Sequence, residues 1–191
     1  MQIILASASP RRYQLLQQLG LDFLVVPADV NENITAASPW ELAEELARQK
    51  ARRVASLYPQ AIVIAADTMV VIDGQILGKP GSQDEARSML NRLSGREHQV
   101  ITGVSVQCQT RGYNKTETET TRVVFRELQS REIEAYIDSR ESFDKAGAYG
   151  IQGRGALLVT RIEGCYFNVV GLPLNRLGLM LRDLGIYLLG G

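Results

Sequence analysis

Two serines and two arginines stand close together near the start of the chain, where they could bind a phosphate. Residues 7–12 read Ser-Ala-Ser-Pro-Arg-Arg after a short apolar run. A proline directly after Ser9 predicts a helix with Ser9 as its N-cap, and the free amides of a helix start bind anions. Cations oppose the helix dipole there, so Arg11 and Arg12 are unfavourable unless an anion lies beside them. We predict that these groups and the Ser7 hydroxyl bind phosphate; the alternative is a capped helix with solvated arginines.

Three lysines could supply the further positive charge that a polyphosphate needs. Lys50 falls on a long predicted helix, Lys79 precedes a proline after a predicted hairpin, and Lys145 precedes a glycine-rich run. Taken singly, each is better explained as a solvated surface lysine. Taken with the arginines, they predict a polyphosphate site.

One acid, Asp67, follows the apolar residues 61–66, which are typical of a strand buried on both faces. We expect Asp67 at the C-terminal end of that strand, where an isolated carboxylate is costly unless it binds a metal or handles a proton. Capping of a turn is the alternative. Glu32 and Asp144 are further acids in loop-like positions, and one or two such carboxylates with a phosphate suffice for Mg²⁺.

Several classes of protein are excluded or disfavoured by what the sequence contains. The chain has one histidine, His98, so a histidine-rich metal site is excluded and we interpret His98 as structural. The glycines from Gly147 onward match neither a P-loop nor a dinucleotide fingerprint, and tight turns would explain some of them. Zero net charge and 6% aromatic residues disfavour a nucleic-acid-binding surface.

The elements that must position these residues alternate between strands and helices. Strands are predicted at residues 2–6, 23–26, 61–66, 156–162 and 166–170, with a short hairpin around Asp73-Gly74 and a long one over 98–125. Helices are predicted at 10–19, 39–57, 83–93 and 130–139 and from 173 onward. We expect one α/β domain over residues 1–191 with a mixed sheet and a cleft.

The sequence also bears on where the protein is found. No run approaches the roughly 20 apolar residues of a membrane helix, and the first residues do not resemble a signal peptide. Cys108 and Cys165 are far apart and outside any paired metal-ligand spacing, so we expect them buried on strands in a reducing compartment. We therefore expect a soluble, cytoplasmic protein without a membrane partner.

Six short motifs occur in sequence along nearly the whole chain. They are Ser-Ala-Ser-Pro-Arg-Arg at 7–12, Ala-Asp-Thr at 66–68, Leu-Gly-Lys-Pro at 77–80, Leu-Ser-Gly at 93–95, Asp-Lys-Ala-Gly-Ala-Tyr-Gly-Ile-Gln-Gly at 144–153 and Asn-Val-Val-Gly-Leu-Pro-Leu at 168–174. Each alone is weak evidence, but the first motif together with the ten-residue stretch is highly specific. In these motifs and their order, the chain resembles the Maf family of nucleotide pyrophosphatases.

The resemblance implies a fold and a reaction. The fold is like that of the inosine triphosphate pyrophosphatases, with a mixed twisted sheet flanked by helices and two lobes around a cleft, and members are often homodimers. The reaction is cleavage of a nucleoside triphosphate to monophosphate and pyrophosphate with a divalent metal, Mg²⁺ or Mn²⁺. The resemblance makes Asp67 the proton acceptor and Glu32 a metal ligand, and it places Ser9, Arg12, Lys50, Lys79 and Lys145 in the cleft. We further expect Asp67 to bind the metal together with Glu32.

Substrate choice in the family follows three positions, here Arg11, Thr68 and Gln152. This combination resembles the branch that acts on dTTP and UTP, whereas the 7-methyl-GTP branch has Asp-Gln at positions 67–68 and a glutamate-containing segment near position 152. A glutamine amide offers the donor and the acceptor that the imide edge of uracil or thymine requires. Removal of modified pyrimidine nucleotides is one purpose that fits. The alternative function is a nucleotide-binding regulator of cell division or septum formation.

Overall fold

The computed structural model describes residues 1–32 and 34–190, which fold into an α/β arrangement. The strands are β1 (Ile3–Leu5), β2 (Leu24–Val25), β3 (Ile62–Ile72), β4 (Gln75–Leu77), β5 (Glu97–Cys108), β6 (Tyr113–Phe125) and β7 (Val159–Glu163). The helices are α1 (Pro10–Gln18), α2 (Pro39–Ala55), α3 (Gln83–Leu93), α4 (Ser130–Asp138), α5 (Tyr166–Val170) and α6 (Leu174–Asp183). Short 3₁₀ turns occur at Gln109–Arg111, Ala146–Ala148 and Gly153–Leu158.

The strands form a mixed sheet in the order β2-β1-β3-β5-β6-β7, with β4 paired to β3. β1 pairs in parallel with β2 and with β3, so each of these connections requires a crossover, which α1 and α2 provide. The pairs β3–β4 and β6–β7 are antiparallel. A mixed sheet flanked by helices is therefore confirmed.

The chain divides into two compact units. The first unit contains Met1–Asp67, Thr102–Glu119 and the segment that begins at Gly171. One cluster of its core is built mainly from small side chains: Ala51, Val54 and Ala55 of α2 pack with buried residues of β1 and β3. A Cβ at Gly103 would overlap the carbonyl oxygen of Ala43, so the backbone of α2 lies directly against β5. This close approach fixes α2, which carries Lys50.

The second unit contains Thr68–Ile101 and Thr120–Val170. Helices α3 and α4 bury leucine and isoleucine side chains, among them Leu90 and Ile133, against β5 and β6. The interior also holds His98, which is 2% exposed and contacts the rings of Phe125 and Tyr149 at centroid distances of 5.1 and 5.3 Å. His98 is thus part of this core, as the sequence predicted. Full burial of each leucine or isoleucine side chain on α3 and α4 contributes roughly 1.5–3 kcal/mol to the free energy of folding.

Local turn and cap signals are largely confirmed. Asp73 and Gly74 both have positive φ, 54° and 72°, as a tight hairpin turn requires, and they join β3 to β4. Ser38 and Ser82 each accept a hydrogen bond from the backbone amide three residues on, at 3.2 and 3.1 Å. Ser9 occupies the N-cap position of α1, but among the described residues its side chain makes no capping bond, contrary to the expected cap.

Two predictions about strands are wrong, and the strand expected at 156–162 begins only at Val159, because Gly153–Leu158 forms a 3₁₀ turn. Asp67 does not end its strand, because β3 continues through it to Ile72, where the pairing with β4 extends the ladder. Residues 166–170 form α5 instead of a strand. The helix allows the buried Asn168 amide to donate to the Val100 carbonyl at 2.9 Å and to the Thr121 hydroxyl at 3.0 Å. A short apolar run is compatible with either structure, and these tertiary hydrogen bonds select the helix.

The two cysteines are free thiols in different surroundings. Cys108 is buried at the end of β5, as expected, whereas Cys165 is half-buried in the turn before α5 and is not on a strand. Within residues 1–32 and 34–190, no helix is long and apolar enough to cross a membrane.

Candidate active site

Arg12, in the first turn of α1, is held by two hydrogen bonds, one to the turn between β1 and α1 and one to a distant backbone carbonyl. Arg12 Nη1 donates to Ser7 Oγ at 3.1 Å, and Arg12 Nε donates to the carbonyl oxygen of Gly171 at 2.8 Å. The buried Ser7 hydroxyl also accepts from the Ser9 amide at 3.2 Å, which fixes the turn. These contacts hold Arg12 in one orientation near the first turn of α1, while Arg11 and Ser9 are half-buried beside it.

Arg12 lies in the electric field of the two acids that the sequence singled out. Its pKa is lowered from the ordinary value mainly by burial. The charge of Asp67 acts in the opposite direction, the charge of Arg11 lowers the pKa further, and Glu32 raises it. Because an arginine guanidinium stays charged in proteins, Arg12 places a fixed positive charge close to Asp67 and Glu32.

Lys50 joins the same two acids directly. Its Nζ lies 2.7 Å from Asp67 Oδ1 and 2.6 Å from Glu32 Oε1. The side chains of Lys50 and Asp67 are 13% and 16% exposed, whereas that of Glu32 is 62% exposed. The half-buried Asp67 carboxylate is therefore paired, which removes most of the cost of placing it in the middle of β3. Lys50 is not a solvated surface lysine.

The convergence of Glu32 and Asp67 bears on a divalent metal. Among residues 1–32 and 34–190 there is no cluster of three or more histidine, cysteine or acidic side chains that could hold a metal. Both carboxylates nevertheless converge on one cationic group, the Lys50 ammonium. Mg²⁺ uses oxygen ligands and often binds through one or two carboxylates plus phosphate. Two convergent carboxylates fit that donor set.

The remaining predicted residues belong to the second unit. Lys145 is half-buried, and its Nζ donates to Asp144 Oδ1 at 2.5 Å and to the Glu141 carbonyl oxygen at 2.6 Å. Thr68 is half-buried on β3, directly after Asp67. Lys79 and Gln152 are exposed, Lys79 after β4 and Gln152 just before the turn Gly153–Leu158.

The structure thus brings one group of the predicted residues together by direct contact. Within the first unit, Ser7 is bonded to Arg12, Glu32 and Asp67 are bonded to Lys50, and Arg12 interacts electrostatically with both acids. The approach of Thr68, Lys79, Lys145 and Gln152 to a common ligand stays a prediction.

Sequence reasoning did not find two residues that contact the predicted site residues or the backbone beside them. Gly171 contributes its backbone carbonyl to Arg12, and the motif at 168–174 contained it without revealing that role. Glu141 contacts Lys145 and the backbone after Gln152, and no motif pointed to it. Backbone groups and supporting side chains leave no signal in residue type, since their role depends on which neighbour the fold supplies.

These features place an oriented arginine next to two carboxylates that both pair with Lys50, on an α/β fold. A family model described as Maf-like protein matches residues 2–184. The chain therefore belongs to the Maf family, as its motifs indicated.

Two similar proteins align with nearly the whole chain. One from Carboxydothermus hydrogenoformans is 52% identical over 97% of this chain and 100% of its own length, and it is named dTTP/UTP pyrophosphatase. One from Ruminiclostridium cellulolyticum with the same name is 50% identical over 95% of both chains. Among solved structures, the Staphylococcus aureus Ham1 protein has a TM-score of 0.49 and 19% identity over 65% of this chain and 72% of its own.

Proposed function

We propose that this protein is a nucleoside triphosphate pyrophosphatase that hydrolyses dTTP and UTP to the nucleoside monophosphate and pyrophosphate. Relatives of about 50% identity that are named for this activity support the proposal. The observation that carries it is the contact of Lys50 with both Asp67 and Glu32 beside Arg12. This arrangement supplies a proton acceptor and fixed positive charge in one place.

The reaction requires water to attack the α phosphorus while the bond from that phosphorus to the bridging oxygen of the β phosphate breaks. Asp67 is the acceptor for the proton that the attacking water loses, and pyrophosphate departs with the electron pair of the broken bond. Lys50 orients Asp67 through its 2.7 Å contact. A divalent cation, Mg²⁺ or Mn²⁺, would be held by Glu32 and Asp67 and would neutralise phosphate charge.

Binding of the triphosphate uses positive groups in known local settings. Arg12 is held by Ser7 and Gly171, so its guanidinium is oriented before substrate arrives and little conformational freedom is lost on binding. In the proposal Ser9, Arg11, Lys79 and Lys145 complete the triphosphate site, and Lys50 adds charge to it. Thr68, Arg11 and Gln152 select the pyrimidine base.

The proposal is tested with purified protein and a panel of normal and modified nucleoside triphosphates, with pyrophosphate and orthophosphate measured separately. We expect pyrophosphate from dTTP and UTP in the presence of Mg²⁺ or Mn²⁺. Asp67→Asn should lower kcat by at least about 100-fold, as loss of a general base does. Asp73→Asn, a matched change in the exposed hairpin turn, should leave kcat unchanged.

Other outcomes separate the alternative function from this one. Stoichiometric nucleotide binding without any turnover would support a nucleotide-binding regulator of cell division. An Asp67→Asn variant with most of the wild-type rate would refute the role of Asp67 as proton acceptor. Release of orthophosphate alone would refute cleavage between the α and β phosphates.

We also propose that residues 1–191 act as one Maf-like domain in the cytoplasm, as a homodimer, with neither nucleic acid nor a membrane as partner. The family model, which spans residues 2–184 as one unit, supports the single domain. The purpose of the enzyme would be removal of unwanted pyrimidine nucleotides. Sedimentation of the purified protein tests the dimer, and cell fractionation tests the compartment.

A further inference from the structure

Glu141 contacts two separate parts of the glycine-rich segment that follows it. Its backbone carbonyl oxygen accepts a hydrogen bond from Lys145 Nζ at 2.6 Å. Its carboxylate accepts from the Arg154 amide, at 3.2 Å to Oε2 and 3.4 Å to Oε1. Glu141 itself is half-buried after α4. One residue therefore holds both ends of the segment from Lys145 to Arg154.

The carboxylate of Glu141 lies directly against the backbone next to Gln152. A Cβ at Gly153 would come within 2.8 Å of Glu141 Oε2, so the glycine leaves room for this carboxylate. Gln152 is exposed, so its orientation depends on the backbone that carries it. The Glu141 contact with Arg154 fixes that backbone on the C-terminal side of Gln152.

The N-terminal side of Gln152 is held by other groups of the second unit. The Gly150 amide donates to the Tyr136 hydroxyl at 3.2 Å, and the Tyr149 hydroxyl is 2.7 Å from His98 Nε2. A Cβ at Gly150 would lie 2.7 Å from Lys145 Cε, so the lysine stem packs on this backbone. The segment is therefore compact, and the Glu141 carboxylate is the side chain that bonds the backbone nearest to Gln152 on its C-terminal side among the described hydrogen bonds.

We propose that Glu141 is a positioning residue for recognition of the pyrimidine base. By accepting from the Arg154 amide, its carboxylate fixes the backbone so that the Gln152 amide presents a donor and an acceptor to the imide edge of uracil or thymine. Cytosine presents a different pattern on that edge, because an amino group replaces a carbonyl oxygen. The inference rests on the proposed function, and it assigns the preference for uracil and thymine to Glu141 acting through Gln152.

The test compares kcat/KM for UTP and for CTP in the wild type, Glu141→Ala and Glu141→Gln. We expect Glu141→Ala to lower the value for UTP by about 10- to 100-fold, the scale on which a displaced binding group acts. The value for CTP should change less, so the UTP/CTP ratio falls. Glu141→Gln keeps an acceptor oxygen for Arg154 and should recover most of the ratio.

A matched control separates positioning from general stability. Glu134→Ala removes a carboxylate of the same unit that bonds Arg87 and contacts neither Lys145 nor Arg154 in the described hydrogen bonds. We expect its UTP/CTP ratio to equal that of the wild type. Deuterium uptake at the Arg154 amide should rise in Glu141→Ala and remain low in Glu134→Ala.

Each outcome has a defined meaning. A wild type that releases pyrophosphate while Glu141→Ala keeps its UTP/CTP ratio would overturn the inference and leave the proposed function intact. A wild type that releases no pyrophosphate from any triphosphate would overturn the proposed function, and unchanged uptake at Arg154 would then overturn the anchoring role as well. If Glu141→Ala does not fold, Glu141→Met replaces it, since methionine keeps the length of the side chain without an acceptor.

Discussion

Replacing Lys50 by methionine should destabilise the protein because it leaves Asp67 without its ammonium partner. The change keeps an unbranched apolar side chain that is one atom shorter, and it removes the ammonium group that lies 2.7 Å from Asp67 Oδ1. Both side chains are less than one-fifth exposed, at 13% and 16%, so water cannot fully replace the lost partner. A hydrogen bond to a charged group contributes about 1.5–3 kcal/mol. We expect the free energy of unfolding to fall by about 2 kcal/mol.

For a protein of this length, a loss of about 2 kcal/mol lowers Tm by roughly 4–8 °C. Asp67→Asn should cost less than Lys50→Met, because Lys50 then retains Glu32 at 2.6 Å. The double variant completes a cycle, measured by urea unfolding at neutral pH and low salt. We expect a coupling free energy of about 1–2 kcal/mol between the two positions.

The exposed pair Arg96–Asp73 provides a control cycle, in which Arg96→Met and Asp73→Asn remove the charges. Its atoms are 2.6 Å apart, but the side chains are 47% and 56% exposed. Exposed ion pairs contribute about 0.2–1 kcal/mol, so this coupling should be smaller and should fall more strongly with salt. Equal couplings in the two cycles, or additivity at Lys50 and Asp67, would refute the argument from burial.

Three further predictions concern the second unit. Burial lowers the pKa of His98 from 6.5 to about 4, so between these pH values the unfolded chain binds a proton that the folded protein excludes. The free energy of unfolding should therefore be highest above pH 6.5 and fall toward pH 4, by about 2 kcal/mol at pH 5 when measured by urea unfolding. His98→Gln should lose this pH dependence. Gln152→Glu should lower kcat/KM for dTTP and UTP by at least about tenfold, because a carboxylate cannot donate a hydrogen bond to the base. Its Tm should change by less than about 2 °C. A variant with the same kcat/KM as the wild type would contradict the role of Gln152. Gly147→Ala should lower the free energy of unfolding by about 1–3 kcal/mol, because φ at this position is 68° and a Cβ would lie 2.9 Å from Val70 Cγ1. Adding Val70→Ala should relieve part of the clash, so the double variant should lose less than the sum of the two single changes.

The sequence predicted the elements that depend on local chemistry. Ser38 and Ser82 cap helices because their hydroxyls reach an amide three residues away. Asp73-Gly74 makes a hairpin because those residue types tolerate positive φ. The candidate site was likewise predicted as a set of residues. The motifs contain Arg12 and Asp67, and Lys50 was singled out as a lysine on a predicted helix, but the sequence did not show which of them touch.

The two errors about strands had different origins. A polar pair after an apolar run indicated that the strand ends at Asp67, yet β3 continues through Asp67 into the hairpin predicted at Asp73-Gly74, where β4 pairs with it. Residues 166–170 were compatible with a strand, and the hydrogen bonds of Asn168 select a helix. The partners of Asn168, which are Val100 and Thr121, are distant in sequence and therefore not visible in the local pattern.

By itself, the sequence determined the family, the alternation of strands and helices, and the inventory of charged groups available for chemistry. Tertiary structure alone decided the pairings: Lys50 with Glu32 and Asp67, Arg12 with a carbonyl 159 residues away, and Glu141 with the Arg154 amide. The physical reason is range. Caps and turns form between neighbouring residues, whereas the partner of a half-buried charge is set by how the strands and helices pack.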